Sequence, residues 1–319
     1  MNSGHPKDVP TDLLPAGDSA PLVSVIITTY NRRDFVGEAV ASVLAQSVAD
    51  FELLVVDDGS TDNTEEIVRP YLQDKRVRYV SKANGGQASA LNFGLARTSA
   101  PLVCFLDSDC RWLPEKLEAQ LAALRDHPAV GVVYGENEVI DASGQVTGLM
   151  TMSRFSGRVV TQLLYDNFVN FNCSMVRRHL FERVGAFNEQ LRRNPDYDLW
   201  LRMSMVTEFL HMNRVLAQYR VMQDQLSSDR DARFASNREI LAAFLDGPGS
   251  ALPAGEARRA WSGFHVRRGR YYASAGRRRE AYADIFRALK ISPLDKRAWR
   301  ALAAVALGRT ARRKAPSVT

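Results

Sequence analysis

Cysteine is scarce. Only Cys104, Cys110 and Cys173 occur among 319 residues, none in a C-x-x-C spacing. That excludes a disulfide framework and a cysteine zinc site, and it points to a reducing, cytoplasmic compartment. Long apolar runs are missing too: the best candidate, 301–307, falls far short of the ~18 residues a membrane span needs. Residues 1–21 lack the apolar stretch of a signal peptide. Rich in Pro, Gly and Asp, they are expected to form a disordered leader. No G-x-G-x-x-G follows the first strand-like segment and no G-x-x-x-x-G-K-[ST] occurs anywhere, so dinucleotide and P-loop chemistry are disfavoured.

The rest of the composition is that of a globular protein, with 45% hydrophobic and 24% charged residues. Its length suits one large or two modest domains. The net charge of +6 conceals an asymmetry. Residues 231–319 hold 19 of the 42 Lys/Arg but 7 of the 36 Asp/Glu, a balance of +12, which leaves 23 against 29 elsewhere, or −6. A shift of that size predicts a boundary near residue 230, between a unit at 22–230 and a basic helical one at 231–319.

The first unit alternates. Val23–Thr28 is a β-branched run that reads as a buried strand. Val36, Ala39, Val40, Val43 and Leu44 then form the stripe of an amphipathic helix. Strand-like segments recur at Glu52–Val56, Val77–Val80 and Leu102–Leu106. Between them, Asp62 and Glu65 suggest a capping box opening a helix to about Leu72, and Gln87–Arg97 reads as a third helix. Such alternation predicts a parallel, doubly wound α/β sheet, whose ligands bind beyond the carboxyl ends of its strands.

Polar residues gather at those ends. Asp107 and Asp109 follow the fourth strand, where hard carboxylate oxygens suit Mg²⁺ or Mn²⁺ shared with phosphate oxygens; a D-x-D triplet also arises in ordinary loops. Asp58 is placed to accept from a ribose or a base, although Asp58-Gly-Ser60 is equally turn chemistry. Tyr30 suits either stacking on a base or packing the sheet edge. Asn84-Gly85-Gly86 lets a phosphate or sugar approach the backbone closely, or is a plain turn. Asn194 reads as an N-cap with Pro195 at the first helical position. Asp196 and Asp198 then fall in the first turn, as dipole-stabilising carboxylates or with one of them as a general base.

The ordered set Val23-Ser-Val-Ile-Ile-Thr-Thr-Tyr-Asn-Arg32, Val55-Val-Asp-Asp-Gly-Ser-Thr-Asp62, Asn84-Gly-Gly86, Phe105-Leu-Asp-Ser-Asp109, Trp112-Leu-Pro-Glu-Lys116 and Asp196-Tyr-Asp-Leu-Trp200 resembles the family 2 glycosyltransferases of the GT-A fold. The resemblance covers about residues 22–228. It implies a Rossmann-like mixed α/β sheet followed by a small α-helical domain. It also implies inverting transfer of a sugar from a nucleoside-diphosphate donor, a UDP-sugar first of all, to a hydroxyl of a glycan or lipid-linked acceptor. By position, Thr28, Tyr30, Arg32, Asp58, Asn84, Gly85 and Asp107 would hold the donor. Asp107 and Asp109 would hold a divalent cation, Mg²⁺ or Mn²⁺, with Asp109 the more direct ligand, and Asp196 would be the base. Three positions depart from the pattern: Thr29 stands where Pro is usual, Pro195 where Glu is usual, and Met222 where many relatives carry His. The last predicts reduced or unusual metal dependence, unless Gln223 or Asp224 substitutes.

In the basic part, Gly269, Tyr272, Gly276, Ala281, Ala288 and Pro293 fall at spacings that resemble a tetratricopeptide repeat. Trp299 restarts the pattern one ~34-residue period after His265. One and a half repeats cannot stand alone, so this unit is expected to pack on the first or on another subunit. Its charge suits peripheral contact with an anionic membrane. It equally suits complementing the acidic unit. No nucleic-acid motif is present, and a homo-oligomer is compatible with the sequence. Two rivals stand beside the enzyme: a non-catalytic sugar-nucleotide-binding scaffold that recruits partners through its tail, and a nucleotidyltransferase. The second lacks its Gly-rich triphosphate loop.

Overall fold

The computed structural model describes residues 20–150, 152–222 and 229–308. All but the last two residues of the expected leader lie outside the described residues, as do Gln223 and Asp224. The four expected strands are β1 (Val23–Thr29), β2 (Phe51–Asp57), β3 (Val77–Ser81) and β4 (Leu102–Asp107). They pair in parallel in the order β3-β2-β1-β4, linked by α1 (Val36–Leu44), α2 (Thr64–Val68) and α3 (Gln87–Leu95). Both faces are covered, so the strands alternate between two apolar clusters rather than between core and water. Val23, Val25 and Ile27 pack with Val36 and Val40 of α1, whereas Ile26 joins Leu54, Val56 and Phe105 on the other face. α3 lies tight against β1 because Gly94 has no side chain; a Cβ there would sit 2.7 Å from the Ile26 side chain.

The capping box at Asp62 and Glu65 is not formed. Asn63 takes the N-cap position in the left-handed region (φ 62°). Asp62 accepts instead from the Thr64 and Arg33 amides, and Glu65 pairs with Arg69. The helix stops at Val68 and continues as a 3-10 turn over Arg69–Gln73, since Pro70 supplies no amide.

Past β4 the sheet ceases to be parallel. The next elements are β5 (Arg111–Trp112), α4 (Lys116–Asp126), β6 (Val130–Ile140), β7 (Val146–Leu149), α5 (Val160–Leu163), β8 (Met175–Arg177), α6 (His179–Val184), α7 (Pro195–Ser204) and β9 (Glu208–Arg220). β8 runs antiparallel to both β4 and β6, and β9 is parallel to β6. The nine strands are ordered β3-β2-β1-β4-β8-β6-β9-β5, with β7 beside β6. The doubly wound parallel sheet read from strand–helix alternation is therefore confined to its first four strands. The connections explain this: β6 returns directly as a hairpin to β7, and β8 follows a 3-10 turn at Phe171–Cys173 rather than a crossover helix.

Four helices close the chain: α8 (Arg230–Asp246), α9 (Ala254–Ser274), α10 (Arg278–Ile291) and α11 (Lys296–Ala306). Small residues of the repeat-like pattern lie where α9 meets α10. A Cβ on Gly269 would come within 2.9 Å of Ile285, and Ala281 and Ala288 are fully buried. Trp299 is 54% exposed. Asp284, 1% exposed on its side chain, accepts from Arg268, Arg287 and His265. The charge change near residue 230 is not a gap in packing. Ile240, Phe244, Ala260 and Phe264 belong to the same cluster as Ile26 and Phe105, while Val266, Ala273, Ile285 and Val305 form a separate one. Among the described residues no helix is long and apolar enough to cross a membrane.

Candidate active site

The carboxyl ends of β1, β2 and β4 open into a cleft of about 760 Å³ closed on its far side by α7 and α8. Thr28, Tyr30, Arg32, Asp58, Asn84, Asp107, Asp109 and Asp196 all line it; Gly85 does not. β1 and β2 are in register to their last residues, Thr29 opposite Asp57, which aligns the loops that follow. Those loops are locked together: Asn31, left-handed at φ 50°, accepts from the Thr61 amide at 2.8 Å and donates its own amide to Ser60 Oγ at 2.8 Å. Tyr30 is 49% exposed, so it does not pack the sheet edge.

Asp58 is nearly buried and already engaged. Its Oδ1 accepts from Lys82 Nζ at 2.8 Å and the Gly85 amide at 3.0 Å, and its Oδ2 from the Gly86 amide at 2.7 Å. The carboxylate thus shapes the turn at Asn84–Gly86, and Gly85 serves that turn rather than the cleft surface. One lone pair of Oδ2 is left over.

Asp107 is held on both oxygens. Gln87 Nε2 donates to Oδ1 at 3.0 Å and Asn172 Nδ2 to Oδ2 at 2.9 Å, while Asn172 Oδ1 accepts from the Asp107 amide at 2.7 Å. Burial pushes the Asp107 carboxyl up to about 7, with the charges of Asp109 and Asp196 adding to it. Asp109 is less encumbered: Arg32 Nε lies 3.9 Å from one oxygen and the Cys110 thiol donates to the other at 3.3 Å. Among the described residues no three His, Cys, Asp or Glu side chains converge on one metal-sized point. The donor set is therefore two carboxylates whose mutual repulsion a cation would relieve. Mg²⁺ or Mn²⁺ fits it, because such ions complete their shells with water and phosphate oxygens.

Across the cleft, Pro195 opens α7 as expected, with Asp196 and Asp198 in the first turn. Asn194 does not cap through its side chain. Its left-handed backbone (φ 54°) turns the amide away, to donate to Asn237 Oδ1 in α8 at 2.7 Å. The two acids part company. Asp198 is consumed by Arg202 at 2.6 Å, whereas Asp196 faces the cleft and accepts from Asn167 Nδ2 at 2.9 Å. Burial raises Asp196 above the ordinary carboxylate value, opposed by the Asn167 hydrogen bond and the charge of Arg233.

Residues 24–185 match the family model described as glycosyl transferase family 2. The chain belongs to that family. It is 33% identical over 232 residues to an uncharacterized glycosyltransferase of Rickettsia typhi, spanning 71% of this chain and 72% of that one. It is also 33% identical over 210 residues to the hyaluronan synthase of Pasteurella multocida, 64% of this chain but 21% of the synthase. Two solved structures are similar. The mannosyltransferase PcManGT from Pyrobaculum calidifontis, in complex with GDP-Man and Mn²⁺, matches at TM-score 0.63 and 20% identity over 95% of this chain and 86% of that one. S. aureus TarS 1-349 in complex with UDP-GlcNAc matches at 0.57 and 18% over 90% and 92%. These likenesses show the GT-A fold: a mixed α/β sheet with helices following it. Membership in a glycosyltransferase family disfavours the non-catalytic scaffold.

Several cleft residues of this glycosyltransferase were missed by sequence reasoning. Gln87 and Asn172 orient Asp107, Asn167 holds Asp196, and Arg192, Arg193 and Arg233 line the wall beside Asp196. Thr29, which stands where Pro is usual, borders the cleft, with its hydroxyl buried and without a hydrogen-bond partner among the described residues. One signal was available: Asn167, Asn170 and Asn172 stand within six residues of one another, interleaved with Phe and Val.

Proposed function

We propose that the cleft transfers a sugar, with inversion, from a nucleoside diphosphate to a hydroxyl of a glycan or lipid-linked acceptor. The observation that carries this is the opposition of Asp107 and Asp109 at the end of β4 to Asp196 at the head of α7, within one cleft. The PcManGT and TarS structures carry GDP-Man with Mn²⁺ and UDP-GlcNAc, which supports a nucleotide-sugar donor, a UDP-sugar first and GDP or dTDP sugars next. Thr28 and Tyr30 receive the nucleoside, Tyr30 by stacking. Asp58 offers it the remaining lone pair of Oδ2, and Arg32 and Asn84 border it.

Asp109, with Asp107 beside it, would hold a divalent cation, which supplies charge neutralisation for the departing diphosphate. Gln87 and Asn172 keep Asp107 aimed into the cleft. Asp196, ionised, takes the proton of the attacking acceptor hydroxyl. Attack comes from the face opposite the diphosphate, so configuration at the anomeric carbon inverts through an oxocarbenium-like state. The basic helices α9–α11 would rest on an anionic membrane surface when the acceptor is lipid-linked.

The test is a thermal-shift screen of UDP, GDP and dTDP sugars with and without Mn²⁺, followed by release of nucleoside diphosphate with water as acceptor. A donor that stabilises the native chain, with release abolished in Asp109→Asn, is the expected result. The absence of stabilisation by every nucleotide sugar would overturn the reading. The Met222 departure is tested by titrating Mg²⁺ and Mn²⁺ in the release assay; ordinary saturation by either ion sinks the idea of altered metal dependence.

A further inference from the structure

Charge in the cleft is unevenly matched. Asp58 is neutralised by Lys82 at 2.8 Å, and Asp109 has Arg32 at 3.9 Å. On the opposite wall three arginines, Arg192, Arg193 and Arg233, line the cleft with the carboxylate of Asp196. Arg192 and Arg193 directly precede the N-terminus of α7, and Arg233 lies in the first turn of α8, near enough for its charge to act on Asp196. Arg193 has Asp229 at 3.8 Å, and its carbonyl accepts from Ser236 Oγ at 2.8 Å. Arg192 and Arg233 are exposed to the cleft and have no ion-pair partner among the described residues.

We propose that this wall selects an anionic acceptor, one bearing a carboxylate or phosphate that Arg192 and Arg233 grip while its hydroxyl meets Asp196. The inference rests on the reading above, in which Asp196 touches the acceptor and the diphosphate lies at Asp107 and Asp109. Groups that share the α7–α8 wall with Asp196 then flank the acceptor, not the leaving group. Guanidinium forks match the paired oxygens of carboxylate and phosphate, and they do so with directed, charge-assisted hydrogen bonds. Two such forks on the wall that carries the base would also orient the acceptor, and a neutral sugar would gain less from them because its hydroxyls offer no charge-assisted, paired acceptor.

The test measures equilibrium binding of three probes to the full chain: octyl glucuronide, octyl glucoside 6-phosphate and neutral octyl glucoside. The parent should prefer one anionic probe over the neutral one by about tenfold or more, with the preference shrinking as salt is raised. Arg192→Gln and Arg233→Gln should each reduce that preference by about tenfold, the scale of one lost charge-assisted hydrogen bond. Whichever anion is preferred identifies the acceptor group. No preference in the parent, or variants that weaken binding of the nucleotide-sugar donor while leaving the preference intact, would overturn the proposal. Donor hydrolysis by water involves no acceptor, so a failure of the glycosyltransfer reading shows there and a failure of this one shows in the probe preference.

Discussion

Replacing Asp196 by Asn separates proton transfer from every other job at the cleft. The carboxamide keeps the shape of the side chain, and its oxygen can still accept from Asn167, which donates to Oδ2 at 2.9 Å. The fold should therefore survive. A lost general base costs about 10²–10⁴ in rate, or about 3–5.5 kcal/mol at ~1.36 kcal/mol per decade. The structure adds a second effect. The charge of Asp196 is one of those that raise Asp107, so Asp196→Asn lets Asp107 ionise more readily. The same lost negative charge acts more strongly on a divalent cation than on a proton, however, so cation affinity near neutral pH should fall modestly. The assay is paired: nucleoside-diphosphate release with acceptor present for turnover, and calorimetric titration of Mn²⁺ and donor for binding. In the parent, the acidic limb of kcat/KM should lie above the ordinary carboxylate value of ~3.9, because burial raises Asp196 and the base must be ionised; the variant should lose that limb. Turnover within a few-fold of the parent refutes the role of Asp196. A rise in cation affinity would refute the charge coupling.

Three further outcomes are expected. Asp107, raised to about 7, binds a proton in the fold that the unfolded chain has released, so the cation-free protein loses stability as pH rises from about 4 to about 7. Asp107→Asn should accordingly melt higher than the parent at pH 8 in EDTA and close to it at pH 4; equal melting at both would contradict the linkage. Asp284→Ala strands Arg268 and His265 by removing the carboxylate, 1% exposed, that both face, and breaking such a buried pair costs about 3–5 kcal/mol. Denaturant titration measures this, and a loss below about 1 kcal/mol would mean the cluster is solvated. The chain should sediment with phosphatidylserine vesicles but not phosphatidylcholine vesicles, in a salt-dependent way; equal partition would remove electrostatics as the cause.

The acids that line the cleft were legible because strand ends are legible. A short apolar run followed by Asp107-Ser-Asp109 places a carboxylate at the carboxyl end of a strand whatever the remaining fold does. The same holds for Asp196, since Pro195 marks the helix start. The amides that hold these acids were not legible. Asn172 reaches Asp107 across 65 residues, through the antiparallel half of the sheet, and β8 is only Met175–Arg177, too short to carry a periodic signal. The caps failed for a different reason. Asn63 and Asn194 both adopt left-handed backbones, and from there a side chain does not reach the amides that a standard N-cap serves. Helix position alone does not tell Asp196 from Asp198; apart from the family resemblance, that distinction needs Arg202, one turn on, to pair with one of them.

The shared core of Ile26, Phe105, Ile240, Phe244 and Phe264 has a consequence for how the molecule comes apart. A tail joined by a linker would melt by itself, whereas α8 and the first half of α9 are bricks of the catalytic half. Severing the chain near residue 230 would strip Phe244 and Phe264 from the sheet's face and leave that apolar surface wet. Calorimetry should therefore find the sheet, α8 and the first half of α9 unfolding as one cooperative block, with the end of α9, α10 and α11 free to fray first. Arg233, seated on α8, belongs to that block, and so its side of the cleft should come apart only with the sheet it faces.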